Sequence, residues 1–250
     1  MKVTILGCGT SRGVPSLPES WGNCDPDNPK NRRRRASILV EQGDTTILID
    51  TSPDLREQML SAKADRLDAV FYTHDHADHT HGIDDLRGFF LRSKTPTNLY
   101  ADEETLKVLQ HRFGYIFKAK TGYPAICKAN ELEWPTTIND LTVIPFLQQH
   151  GPINSIGYRV GDIAYSTDVS GLDDAAFEVL DGVKLWIVDA LRRKPHPTHS
   201  HLDQTIEWIK RVNPERAILT HMMGDLDYQT LCDELPDHIR PAYDGLTLLV

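Results

Sequence analysis

What limits this chain most is a short apolar run that ends in a burst of metal-binding side chains: Ala69-Val70-Phe71-Tyr72, then Thr73-His74-Asp75-His76-Ala77-Asp78-His79. A β-branched and aromatic run of this length reads as a strand with buried faces. Just past its end, His74, His76, Asp78 and His79 place four imidazole or carboxylate groups within six residues. Chance yields this pattern about 0.002 times in a chain of this composition, so the cluster reads as a site and not as a solvated loop. Imidazole and carboxylate without cysteine suit zinc, manganese or iron, and leave positions open for hydrolytic chemistry.

Three more candidates stand at the ends of later apolar runs: His150 after Leu141 to Leu147, Asp168 after Ile163 to Ser166, and His221 after Ala217 to Thr220. Each alone would read as a solvated side chain. Together with the first cluster they read as ligands that strands deliver to a common rim. The remaining periodicity predicts strands over 2–6, 37–41, 45–50, 155–160, 185–188 and 246–250, with helices over 53–62, 103–113, 173–180 and 202–212. Leu202, Ile206, Ile209 and Val212 form one apolar stripe on the last helix. Strand runs with interspersed helices predict an α/β or layered α+β sandwich, read as one domain over 1–250.

Composition narrows the function classes. The chain carries 27 basic and 36 acidic residues, a formal net charge of −9, which disfavours bulk-charge binding to nucleic acid or membrane surfaces. Cys8, Cys24, Cys127 and Cys232 form no C-x-x-C pair, so neither a disulfide framework nor a zinc ribbon is expected. No run approaches the roughly 18 apolar residues of a membrane span, and the N-terminus opens on a strand-like segment where a signal peptide would need an apolar helix. A cytoplasmic protein is expected.

The pattern His74-x-His76-x-Asp78-His79 with His150, Asp168 and His221 resembles the metallo-β-lactamase superfamily over nearly the whole chain. Gly7-Cys8-Gly9-Thr10-Ser11-Arg12-Gly13-Val14-Pro15, the arginine-rich end of the following loop, Ser166-Thr167-Asp168 and Ser200-His201-Leu202-Asp203 are similar to its PhnP phosphodiesterase branch. The resemblance implies an αββα sandwich of two mixed sheets flanked by helices. It also implies two divalent cations, zinc or manganese: one held by His74, His76 and His150, a second by Asp78, His79 and His221, with Asp168 bridging and water activated between them. Asp78 and Asp168 thereby join the expected catalytic set. PhnP-like proteins often carry several cysteines in the loop after Gly-Val-Pro as a second, structural zinc site. Only Cys24 remains here, so that site is expected to be absent, with Pro26, Pro29 and the arginines ordering the loop differently.

Ser200-His201-Leu202-Asp203 reads as a helix N-cap with an acidic N3 residue, which places His201 in the first turn, where backbone N–H groups favour an anion. The resemblance makes His201 the phosphate-contacting general acid, with His199 and His196 as alternatives. Ser200 and His199 are candidate substrate contacts. Most of Arg32 to Arg35 reads as a solvated loop end, with Arg35 the candidate to reach phosphate. Asp50 and Asp244 are candidates to orient a ligating imidazole.

The reaction expected is hydrolysis of a cyclic ribose phosphate or nucleotide-like phosphodiester. The partner is thus a small phosphate ester or nucleotide, with no membrane, no stable nucleic-acid complex, and homodimerisation left open. The rivals are a glyoxalase II-type thioesterase or lactonase on the same site, a tRNA 3′-end nuclease, and a metal-dependent binding or redox module with iron. The long arginine-bearing loop and the helix start at Ser200 favour phosphate.

Overall fold

The computed structural model describes residues 1–250. Its first half runs β1 (Lys2–Gly7), β2 (Ser37–Gln42), β3 (Thr45–Ile49), α1 (Leu55–Ala62), β4 (Ala69–Phe71), α2 (Ala77–Thr80), α3 (Arg87–Ser93), β5 (Thr97–Ala101), α4 (Glu103–Arg112), α5 (Gly114–Phe117) and β6 (Cys127–Glu131). The second half runs β7 (Thr136–Ile138), β8 (Leu141–His150), β9 (Ile153–Val160), β10 (Ile163–Ser166), α6 (Asp174–Leu180), β11 (Leu185–Asp189), α7 (Leu202–Val212), β12 (Arg216–Thr220), α8 (Tyr228–Glu234), β13 (Ile239–Pro241) and β14 (Thr247–Leu249). Two seven-stranded sheets result, in the orders β14-β1-β2-β3-β4-β5-β6 and β13-β12-β11-β10-β9-β8-β7. Both are mixed: β1 to β3 pair antiparallel and β3 to β6 parallel, while β8 to β10 pair antiparallel and β10 to β13 parallel. This is the expected sandwich of two mixed sheets flanked by helices.

Period-2 alternation decides which face each side chain serves. Val3, Ile5, Ile47, Ile49, Ala69 and Phe71 enter the large core that joins the two sheets. Leu6, Leu48, Val70 and Tyr72 point the other way, onto Leu55 and Met59 of α1, Phe90 of α3 and Leu106 and Leu109 of α4. Burial of this kind is worth roughly 1.5–3 kcal/mol per large aliphatic side chain, so the alternation fixes strand register firmly.

Helix ends follow their caps. Asp102 and Asp173 accept from the backbone N–H of Thr105 (2.7 Å) and Ala176 (2.8 Å), starting α4 and α6. Helix α1 begins two residues later than the apolar spacing predicts. Its Asp54 turns its carboxylate to Arg35 instead of capping the helix. Strand β8 runs three residues past the apolar run Leu141 to Leu147 because it pairs with β9 as far as His150 opposite Ile153.

The end of β4 is pinned across the sandwich. The Tyr158 hydroxyl donates to the Tyr72 carbonyl at 2.5 Å, and the Ile156 N–H to the Thr73 carbonyl at 2.8 Å. The second sheet thus grips the first at the residues immediately before His74.

Candidate metal centre

Strand direction explains why distant residues converge. Strands β8, β10, β11 and β12 all run the same way, since β8 and β10 are each antiparallel to β9 and β10 to β12 are parallel. Their C-terminal ends therefore share one rim. His150 is the last residue of β8, Asp168 lies two past β10, Asp189 is the last of β11, and His221 follows β12 directly. The other sheet contributes His74 and His76 from the loop after β4, and Asp78 and His79 from the single turn of α2. Asp50, Asp168 and His221 all have left-handed backbone, with φ of 65°, 52° and 55°. Each costs a non-glycine residue on the order of 1 kcal/mol or more, a strain typical of functional sites.

Two sets of donor atoms form. His74, His76, His150 and Asp168 bring one atom each within 4.8 Å of one another, and so do Asp78, His79, Asp168 and His221. Asp168 belongs to both and divides its oxygens between them. Its Oδ1 lies 3.1 Å from His79 Nε2 and 3.3 Å from His221 Nε2. Its Oδ2 lies 3.8 Å from His74 Nε2 and 3.7 Å from His150 Nε2.

The rings are held from behind. His79 Nδ1 donates to Asp50 Oδ2 at 2.7 Å, and His150 Nδ1 donates to the Thr198 carbonyl at 2.7 Å. His74 Nδ1 sits 2.9 Å from the Thr73 hydroxyl. Asp50 is itself fixed by the Thr73 backbone N–H and hydroxyl, each at 2.9 Å. Tying down Nδ1 selects the tautomer that aims the Nε2 lone pair at the centre.

Whether a cation fits can be tested on buried polar atoms. His74 Nε2, His79 Nε2 and His221 Nε2 are buried without a hydrogen-bond partner. Unsatisfied buried groups cost about 1–3 kcal/mol each, and three aimed at one carboxylate call for cations between them. Burial pushes His74 well below its usual range and lowers His150, which favours the neutral, ligating form. Burial also opposes ionised Asp168 and Asp78, but the surrounding imidazoles overcome it and hold both carboxylates low. Burial would likewise lower His221, yet Asp168 and Asp78 outweigh it and lift the ring to about 9. The residues present fit two divalent cations.

A cavity of about 390 Å³ opens onto this centre, walled by Ser11, His76, Asp78, Pro152, Ile153, Thr198 and His199 among others. His199 lies beside the ligand sets. Its Nδ1 is 3.0 Å from Asp189 Oδ2, its Nε2 is 3.8 Å from Asp168 Oδ2, and its ring stacks on His221 at 4.9 Å.

Comparison with known proteins agrees with this geometry. Residues 45–222 match the family described as Beta-lactamase superfamily domain. The crystal structure of a new diphosphatase from the PhnP family is 37% identical, covers 100% of this chain and 97% of its own, and superposes with a TM-score of 0.93. The chain belongs to the metallo-β-lactamase superfamily, on its PhnP branch. Human tRNase Z, short form, shares the superfamily fold at 18% identity and a TM-score of 0.72, with coverage of 100% and 99%. An octanoyltransferase of Porphyromonas gingivalis is 34% identical over 258 residues, covering 100% of this chain but only 52% of that protein. The chain thus spans about half the length of that relative.

Within this PhnP-branch chain, several expected site residues are not brought to the centre. His201 has extended backbone, precedes α7 as its N-cap residue and makes no side-chain capping bond, so it is not in the first helical turn. It does not line the cavity, whereas His199 does. Ser200 is fully buried: its hydroxyl donates inward to the Asp189 carbonyl at 2.8 Å and accepts from Thr205, out of substrate's reach.

The arginine run is not a solvated loop end. Arg33 is 2% exposed and donates to the carbonyls of Met223 (3.1 Å) and Leu226 (2.6 Å). Arg34 pairs with Asp244 at 3.0 Å. Arg35 pairs with Asp54 at 2.9 Å and donates to the Ser11 carbonyl at 3.2 Å, so it shapes the cavity wall instead of facing it. Asp244 is spent on Cys8 and Arg34 and touches no imidazole. Asp50 does hold His79, as its position after a strand predicts.

Around Cys24 the loop is closed by hydrogen bonds. The N–H groups of Asn23 and Cys24 donate to the Gly224 carbonyl, and Asp227 accepts from the Asp25 N–H (3.2 Å) and from Asn31 Nδ2 (2.6 Å). Gly22 and Gly224 press backbone to backbone: a Cβ on Gly22, whose φ is +62°, would lie 2.5 Å from the Gly224 carbonyl oxygen.

The residue beside the centre that sequence reasoning missed is Asp189. It closes the buried run Leu185 to Val188 as Asp50 closes Thr45 to Ile49. A strand-end carboxylate is the signal that would have found it.

Proposed function

We propose that this chain is a dinuclear metal-dependent phosphodiesterase acting on small phosphate esters. The observation that carries the reading is the sharing of Asp168 between two ligand sets, with the Asp189-held ring of His199 beside it. The cavity is polar apart from Ile153 and Pro152. That lining suits a phosphate ester better than the acyl chain of a thioester, which would seek apolar walls. The net charge of −9 speaks against the large RNA substrates of tRNA-processing enzymes.

A pair of divalent cations supplies Lewis acidity and lowers the pKa of water when bound. His74, His76 and His150 would hold one, Asp78, His79 and His221 the other, and Asp168 both. His199 does the work the cations do not. Asp189 accepts a hydrogen bond from Nδ1–H and orients the ring, so Nε2 is the atom that delivers a proton to the departing alkoxide oxygen. Asp50 keeps His79 in position through the turnover.

The test is metal analysis of the purified protein joined to an activity panel: a bis-aryl phosphodiester, 2′,3′- and 3′,5′-cyclic nucleotides, a cyclic ribose phosphate, a thioester and a lactone. Turnover of phosphodiesters that falls on chelation and returns with zinc or manganese is expected. Turnover of the thioester or lactone with no phosphodiester hydrolysis would replace this reading.

A further inference from the structure

The single turn of α2 carries Asp78 and His79, while the stretch just before it carries His74 and His76 of the other ligand set. The two stretches are anchored differently. The α2 side is tied to the end of β3: the Thr51 N–H donates to the His79 carbonyl at 2.8 Å, the Gly82 N–H to the Thr51 carbonyl at 2.9 Å, and Asp50 holds the His79 ring. Residues 74–76 have no such tie. From beyond Thr80, the only hydrogen bonds to their backbone or to the Asp75 carboxylate come from Arg112.

Arg112 is the last residue of α4 and reaches back 37 positions along the chain. Its Nη1 donates to the Asp75 carbonyl at 2.6 Å, and its Nη2 stands 3.1 Å from Asp75 Oδ2. One planar guanidinium thus holds both the backbone and the side chain of the residue between His74 and His76, a fork that an ammonium reproduces only in part. The helix that carries it is firmly seated, because Asp102 caps its start and Leu106 and Leu109 are buried in the core. Phe113, the next residue, packs edge-on against His81 at 5.5 Å, just past α2. The end of α4 therefore brackets the ligand turn from both sides.

His76 depends on this bracket most. The rings of His74, His79 and His150 are each fixed at Nδ1 by a hydroxyl, a carboxylate or a carbonyl. The His76 ring is exposed, its Nδ1 faces His150 Nε2 at 3.4 Å, and no group outside the ligand set bonds it. With nothing behind the imidazole, its aim is set by its backbone, and the backbone is held through Asp75.

We infer that Arg112 is a positioning residue for the cation site of His74, His76 and His150, and not for that of Asp78, His79 and His221. It acts through Asp75 and touches neither cation nor substrate. The inference rests on the two-cation assignment of the proposed function and adds an unequal dependence of the two sites on α4.

Zinc affinity, measured by competition against a chromogenic chelator, tests one site at a time. In a His221→Ala background, which retains mainly the first site, Arg112→Gln should weaken zinc binding about 3- to 10-fold, at or below the usual range for supporting contacts because the ion pair is partly exposed. In a His150→Ala background, which retains the second site, the same substitution should leave the affinity unchanged. Arg112→Lys, which keeps the charge but loses the fork, should recover part of the loss. Should either background fail to fold, a two-step zinc titration of Arg112→Gln alone reads the same split, with one step weakened and the other not. Equal losses at both sites, accompanied by a lower Tm, would make Arg112 a contributor to general stability and overturn the positioning role. No loss at either site overturns it as well. A wild type that binds fewer than two zinc equivalents overturns the dinuclear reading itself, whereas two equivalents in the wild type with no effect of Arg112→Gln leaves that reading standing and removes only the bracket.

Discussion

Asp189 Oδ2 stands 3.0 Å from His199 Nδ1, and the far nitrogen of the same ring stands 3.8 Å from Asp168. Asp189 is fully buried at the end of β11, so its carboxylate has no solvent to turn to. A ring held this way has one free nitrogen and one direction to present it.

The leaving group should therefore report on His199. A sugar alkoxide needs a proton as it departs, whereas a nitrophenolate leaves nearly unaided; general acid catalysis contributes about 10²- to 10⁴-fold where it is needed. His199→Ala should keep its metals and lose far more kcat on a cyclic nucleotide than on an activated aryl diester, while His201→Ala loses much less on either. Equal losses on both substrates would make His199 a phosphate binder instead of a proton donor.

Metal occupancy should separate the shared ligand from the unshared ones. Asp168→Ala should lower the content of both ions, and His221→Ala mainly that of one. Metal counting on purified variants decides it, and two full equivalents bound to Asp168→Ala would remove that residue from the bridging role.

Behind the centre, Asp50→Asn should weaken metal binding without removing a ligand. It keeps the volume but loses the charge that fixes His79 Nδ1, and such supporting contacts are typically worth about 10- to 100-fold in metal affinity. Competition against a chelator measures it. An unchanged affinity would show that His79 needs no help from Asp50.

The cysteine-poor loop should owe part of its stability to Asp227. This carboxylate caps α8 through the Thr230 N–H at 2.9 Å and also accepts from Asn31 and the Asp25 N–H. Burial opposes its ionisation, but these hydrogen bonds win and hold its pKa at about 2, below the ordinary 3.8. A depressed folded pKa gives stability that is complete above the unfolded value and fades as pH falls toward 2. Asp227→Ala should cost about 1 kcal/mol at pH 7, and the deficit should narrow between about pH 4 and pH 2 in denaturant titrations. A deficit that stays constant over that range would point to packing and not to the charge.

Much of this protein was legible in its residues. Strands such as Ile163–Ser166 and the helix Leu202–Val212 keep the bounds their apolar periodicity predicts. The polar and short elements were not legible: Cys127–Glu131 is a sheet edge with one buried residue, and Ile239–Pro241 has three residues in all. Edge strands are stabilised by a neighbour's backbone, which leaves little trace in their own side chains.

The sequence by itself determined the metal-binding character of the centre, because a ligand cluster at a strand end needs only local order to form. Its six consecutive residues carry their geometry with them, and His150, Asp168 and His221 inherit theirs from the ends of buried strands. Only the tertiary structure puts His199, and not His201, on the wall of the metal cavity. The two lie in the same short segment before α7, and nothing nearby in sequence distinguishes them. What chooses is Asp189, ten residues earlier in sequence and brought alongside His199 by the parallel pairing of β11. The same holds for the arginines: their charge is a property of the sequence, but whether each meets a carboxylate or a carbonyl depends on which distant strand end folds against it.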